Sequence, residues 1–200
     1  MRKNYEEAEA NAIGTEYIRV DLLPAADGAK LRPLLKSYLD QRIAFYLAHD
    51  DQEIQQINTR TTGLEAELWS AVIAPTTVQP NPVMALAVSG MNDVLNSQGY
   101  TQAGFWNRIP LAAWGLIEAI AIGCNLLVGY GSRSVSAGAR LLPILPLLVS
   151  VALMFIADID APRHGIIRVQ PQNLISLAES LTSPVKTTTI TGETNHENPH

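Results

Sequence analysis

The chain has 200 residues, 47% of them hydrophobic and 16% charged, with a net charge of −5, a pI near 5.3 and a mean hydropathy of +0.09. That length holds one or two small domains, and the charged share lies well below the quarter typical of soluble proteins. The acidic balance argues against a nucleic-acid partner, which needs clustered Lys and Arg, and the single cysteine, Cys124, excludes an internal disulfide framework or a cysteine-based zinc cluster.

The opening MRKNYEEAEA is charged where a signal peptide carries its apolar core. A first helix is expected from about Asn4 to Val20, ahead of Leu22-Leu23-Pro24. Leu31, Leu34, Leu35, Tyr38, Leu39, Ile43, Tyr46 and Leu47 then repeat at helical spacing on one apolar face, with Gly28 and Pro33 marking the entry. Ile54, Ile57, Thr61, Leu64, Leu68 and Ala71 form a coiled-coil-like seam, ended by the prolines at 75, 80 and 82. Met84, Ala87, Val88, Met91, Val94 and Leu95 give a further helical face, followed by Gly99. No segment alternates as a strand does, so the expected class is all-α.

From Ile109 the composition changes. Ile109 to Tyr130 is a 22-residue run with one ionisable member, Glu118. As a helix it spans about 33 Å, the thickness of a bilayer's hydrocarbon core. Trp106 and Tyr130 bracket it as interfacial anchors would. After the polar linker 131–140, Leu141 to Ala157 supplies 17 uncharged residues. The prolines at 143 and 146 suit the start of a membrane helix better than a soluble one. Two such runs predict a transmembrane hairpin. The competing expectation is a pair of buried core helices in a soluble protein. Basic residues flank the runs at 108, 133, 140, 163 and 168, which by the positive-inside rule slightly favours cytoplasmic termini. The stretch 182–200 is polar and without periodicity, and reads as a disordered tail.

Within the first run, Glu118 and Asn125 are two helical turns apart on one face, with Trp114 a turn earlier. An intramembrane carboxylate costs a few kcal/mol and usually faces a bundle interior or an aqueous path. Two readings stand side by side: a polar stripe facing a pore, or a protonated Glu118 that joins helices. Gly115, Ala119 and Gly123 make a small-residue strip suited to close helix packing. Cys124 is expected as an inert packing residue. His196-Glu197-Asn198-Pro199-His200 matches H-E-x-x-H, but Pro199 disfavours the helix that the zinc motif requires. Nothing else suggests a nucleophile, a phosphate loop or a metal set, so no catalytic residue, cofactor or metal is expected and the chain reads as no enzyme.

Four pieces carry a resemblance: EANAIGTEYIRVDLLP (Glu9 to Pro24), LRPLLKSYLDQRIAFY (Leu31 to Tyr46), NRIPLAAWGLIEA (Asn107 to Ala119) and DIDAPRHGIIRVQPQNLISLAESL (Asp158 to Leu181). In this order they resemble the bestrophin-like domain of bacterial membrane proteins of unknown function, themselves distantly similar to bestrophin anion channels. The most specific element is the turn Asp158-x-Asp160-x-Pro162-x-x-Gly165. The resemblance implies an inner-membrane, multi-pass protein with cytoplasmic termini and a periplasmic 132–140 loop. It further implies a homo-oligomer and transport of chloride or another small anion. It divides the chain into a cytosolic helical domain (1–107), a transmembrane hairpin (108–158, spans about 109–130 and 141–157), a post-membrane turn with an amphipathic segment (159–181) and the tail (182–200). It also implies a further hydrophobic pair ahead of Glu9 that this sequence lacks, as a truncated remnant, a chain with a wrongly assigned start or a partner-dependent fragment would. Asp158 and Asp160 are expected to shape the turn, with cation binding as the lesser reading. The alternative function is a membrane-anchored helical interaction module without transport.

Overall fold

The computed structural model describes residues 2–78, 80–106, 109–131, 144–160 and 170–182. Among the described residues seven helices follow one another: α1 (Arg2–Arg19), α2 (Ala25–Leu47), α3 (Asp51–Val78), α4 (Met84–Trp106), α5 (Leu111–Gly131), α6 (Ile144–Asp160) and α7 (Gln172–Thr182), with a 3₁₀ turn at Val20–Leu22. The described residues contain no strand, and the class is all-α.

Local chemistry sets several boundaries. Leu23 and Pro24 are extended at φ −92°, ψ 160° and φ −53°, ψ 141°, which separates α1 and its 3₁₀ extension from α2. At the start of α3, Asp50 Oδ2 accepts the Glu53 amide at 3.2 Å, and Asp51 and Glu53 complement the helix dipole. Asn81 Oδ1 similarly accepts the Val83 amide at 2.8 Å just before α4.

Three boundaries differ from those the sequence suggests. Pro33 lies inside α2, which begins at Ala25 rather than at Gly28 or Pro33. Its missing N–H leaves the carbonyl of Ala29 without a helical partner, but Ala29 is exposed, so water can serve that carbonyl. Pro75 does not end α3. Its apolar ring is buried and the helix continues to Val78, while Thr76 and Thr77 donate their hydroxyls back to the Ile73 and Ala74 carbonyls at 2.7 and 2.8 Å. Gly99 does not end α4, which runs on to Trp106 because Thr101 and Phe105 bury one more turn of the same face. In each case tertiary burial outweighs a residue's local preference.

Packing joins α1 to α4, α2 to α3 and α3 to α4, and α7 lies against both α1 and α2. The core is continuous through Ile13, Val20, Leu31, Leu35, Tyr38, Leu39, Leu68, Val72, Met91, Val94 and Leu174. A smaller cluster at one end holds Phe45, Ala48, Ile54, Ile57 and Phe105, where Phe45 and Phe105 meet edge-to-face at 5.3 Å. The segment after the second apolar run is therefore part of the bundle: α7 buries Leu174 in its main core.

The α5–α6 pair is built differently. Neither helix has a buried residue, and the pair packs on itself rather than on the bundle. Among the described residues, one helical stretch within Met84–Gly131 is long and apolar enough to cross a membrane, and none of that window is buried.

Candidate functional site

The buried face of α1 is lined as much by acid as by hydrocarbon. Glu6, Glu9 and Glu16 are each 0% exposed and share that face with Ala10, Ile13 and Val20. Their spacing keeps them in helical register with the apolar positions, and that register was the signal available in the sequence, where these glutamates were not singled out. The three carboxylates have different surroundings.

Glu6 caps another helix. Its Oε1 accepts the amides of Asn173 and Leu174 at 2.8 and 3.0 Å, and its Oε2 accepts the Asn173 side-chain amide at 2.6 Å. The N-terminus of α7 thus receives an anion from α1, which suits its dipole. At the other end Lys36 of α2 donates to the Leu181 carbonyl at 2.8 Å. Gly14 completes the dock, since a Cβ there would stand 3.1 Å from Leu177 Cδ1.

Glu9 forms a buried ion pair with Arg42 of α2, both side chains 0% exposed. Its Oε2 also accepts from Thr101 at 3.0 Å and from the Tyr46 hydroxyl at 3.2 Å, so one carboxylate ties together α1, α2 and α4. Burial lowers the pKa of Arg42, but the charge and hydrogen bond of Glu9 outweigh it and hold the guanidinium charged. The guanidinium carbon stands 4.6 Å from the Phe45 ring centroid. Arg42 Nη1, the Tyr38 hydroxyl and Glu65 Oε1 are buried without a hydrogen-bond partner among the described residues. Burial pushes the pKa of Tyr38 and Glu65 upward.

Neither oxygen of Glu16 has a hydrogen-bond partner among the described residues. Glu16 presses on Gly90 of α4, where a Cβ would collide with Oε2. Burial pushes its pKa up to about 8, with Arg19 opposing and Asp93 adding to the rise.

The residues singled out in the first apolar run fall into two groups. Glu118 and Asn125 face α6 and line a cavity of about 190 Å³ with Ala121, Pro146, Ser150 and Leu153. Asn125 donates to the Ala121 carbonyl at 2.8 Å, and its Oδ1 has no partner among the described residues. No basic side chain lines the cavity among the described residues. The strip of Gly115, Ala119 and Gly123 lies about 100° further round α5. It does not pack on α6: a Cβ at Gly115 or Gly123 would meet nothing within 4 Å. Cys124 is likewise exposed rather than packed.

Asp158 and Asp160 do not yet belong to a turn; both lie in the last turn of α6. Asp160 accepts the Ile109 amide at 2.8 Å and the Trp114 indole N–H at 3.3 Å, fixing the end of α6 to the start of α5. The two helices therefore run antiparallel, with an acid at the N-terminus of α5 where the dipole favours it. Pro162, Gly165, the 132–140 loop and the tail from residue 183 lie outside the described residues. No group of three or more His, Cys, Asp or Glu side chains placed to hold a metal occurs among the described residues.

No protein-family model, curated protein or solved structure matches this chain.

Proposed function

We propose that this is a bestrophin-like membrane protein of a bacterial inner membrane, in which α5 and α6 cross the bilayer and copies assemble into an anion-channel-type oligomer. One observation carries the membrane part. The bundle closes around a continuous core, whereas twelve large apolar side chains of α5 and α6, including Leu111, Leu127, Leu147 and Phe155, are more than half exposed. In water that surface would be costly at about 25 cal/mol per Å²; in lipid it is matched to its surroundings. The Asp160 bonds support the topology, since they bring the entry to α5 and the exit of α6 to one side, the side of the helical bundle.

The transport part rests on the resemblance of Glu9–Pro24, Leu31–Tyr46, Asn107–Ala119 and Asp158–Leu181 to the bestrophin-like domain. It makes a definite prediction. Alkaline carbonate should leave the chain in the membrane pellet, and purified protein in liposomes should conduct chloride. Glu118 then opposes anions along the α5–α6 face, so Glu118→Gln should raise chloride flux by roughly tenfold, relief of about 1–2 kcal/mol of repulsion across several ångströms of intermediate dielectric. Release by carbonate would remove the membrane reading. Retention without flux would leave the second reading, an anchored interaction module.

That second reading has its own observation. At the bend between α3 and α4 a groove of about 810 Å³ is lined by Trp69, Pro80, Pro82, Ala85 and Val88. Its apolar lining on the exposed flank of the bundle is the kind of surface that takes a partner. In that case Glu118→Gln leaves every flux at background.

A further inference from the structure

Glu16 is a carboxylate that the fold seals without serving. Neighbouring Glu6 and Glu9 each satisfy hydrogen-bond donors from other elements, and Glu16 satisfies none among the described residues. It is held between α1 and α4 at the point where α4 has no side chain, Gly90, so the two helices close directly on the carboxyl group. Among the described residues the cation acting on it is Arg19, one turn along α1, whose guanidinium is directed at Asp93 of α4 at 3.9 Å. Arg19 Nη1 also crowds Gly90, 2.5 Å from where a Cβ would stand. The charged groups acting on Glu16 are Arg19 of its own helix and Asp93 of α4; none acts from α2, α7 or the 3₁₀ turn among the described residues. Alongside lies a cavity of about 270 Å³, lined by Asn11, Thr15, Arg19, Gly90 and Asp93.

We infer that Glu16 is a proton-binding switch in the α1–α4 joint: with its proton it lets the two helices close, and without it the joint opens.

A neutral carboxyl group in this position loses one or two hydrogen bonds. An ionised one loses its hydration with no donor to replace it, a far larger cost. Once ionised, Glu16 has two exits. It can draw Arg19 away from Asp93, leaving Asp93 to repel it, or it can turn toward the cavity, which requires α4 to slide off α1 at Gly90. Both loosen the same joint. The elevated pKa of about 8 agrees with this geometry and sets the range in which the switch acts. Protonation persists from the ordinary carboxylate range up to that value, so the closed joint is favoured below pH 8 and is lost as pH rises through it. Only four residues separate the end of α4 from the start of α5, so a shift of α4 is delivered close to the apolar pair.

The test uses the full chain in detergent or lipid, with Cys124→Ser and spin labels at Ile18→Cys on α1 and Asn92→Cys on α4, both exposed positions. The α1–α4 distance should widen in a one-proton titration centred near pH 8. Glu16→Gln, which stays uncharged, should hold the short distance from pH 6 to 10. Asp93→Asn should move the midpoint down by about one pH unit, because it removes a repelling charge and frees Arg19 for Glu16. A distance that does not change with pH in the native residue set overturns the inference, as does an unaltered transition in Glu16→Gln. Should Glu16→Gln not fold, a midpoint unmoved by Asp93→Asn is equally fatal.

Discussion

Arg42→Met should lower the stability of the bundle by about 3–5 kcal/mol, the usual cost of breaking a buried pair by removing one member. The reason is the position of Glu9. With Arg42 present, a fully buried carboxylate is balanced by a guanidinium and supplied with hydroxyl donors from Thr101 and Tyr46. Without Arg42 the same carboxylate keeps two neutral donors and loses its counter-charge. Thermal unfolding in detergent should show a fall in Tm of about 6–20 °C. The pair is coupled, so adding Glu9→Gln to Arg42→Met should recover part of the loss, because the amide oxygen still accepts from Thr101 while the uncompensated charge is gone. A double-mutant cycle that came out additive would mean that the ion pair contributes nothing beyond its separate side chains. Arg42→Lys should also be poor, since an ammonium cannot replace the flat guanidinium stacked near Phe45 while reaching Glu9.

The second large effect is local. Glu6→Ala strips the N-terminus of α7 of its acceptor and leaves the Asn173 and Leu174 amides to find water. Loss of a charged cap and of its bonds costs about 2–4 kcal/mol. α7 has 11 residues, too few to persist as a free helix. The expected result is therefore undocking of α7, not gradual weakening. Hydrogen exchange over 172–182 should accelerate by roughly 100-fold, while amides in the middle of α2 and α3 keep their protection. Lys36→Ala should accelerate the same amides by less than about tenfold, because it removes a single bond at a partly exposed end. Uniform acceleration throughout the bundle would show that α7 is not a separable unit.

These two residues also mark where sequence reasoning stopped. The apolar faces of α2, α3 and α4 were legible because they follow from spacing alone. Leu31, Leu35, Tyr38 and Leu39, then Ile54, Ile57 and Leu68, then Met84, Ala87, Met91 and Val94 recur at helical intervals and are buried. On α1 the same spacing was present, but three of its positions are glutamates. A periodicity rule that counts carbon leaves them out. Arg42 was passed over for the same reason, although it sits one turn beyond Tyr38 on the buried face.

Prolines and glycines misled in the opposite direction. Pro33, Pro75 and Gly99 are local breakers, and each is overridden because the helix gains more from the burial that follows than it loses at one residue. In the apolar pair, the shared face of Trp114, Glu118 and Asn125 could be read from spacing. The partner of that face could not: Asp160, 46 residues beyond Trp114, takes the indole N–H, and Ser150 and Pro146 close the cavity opposite Glu118.

The sequence by itself determined the all-α class, the main apolar faces and the concentration of hydrocarbon in α5 and α6, because each follows from interactions within one helix or from composition; that this hydrocarbon is exposed came from the tertiary structure. Only the tertiary structure decided that Glu6 caps α7, that Glu9 holds Arg42 and that Glu16 has no donor among the described residues. The environment of a carboxylate depends on which distant segment closes over it, and residues 6, 9 and 16 meet segments 167, 33 and 74 positions away, at Asn173, Arg42 and Gly90. Helical periodicity carries no information over such separations.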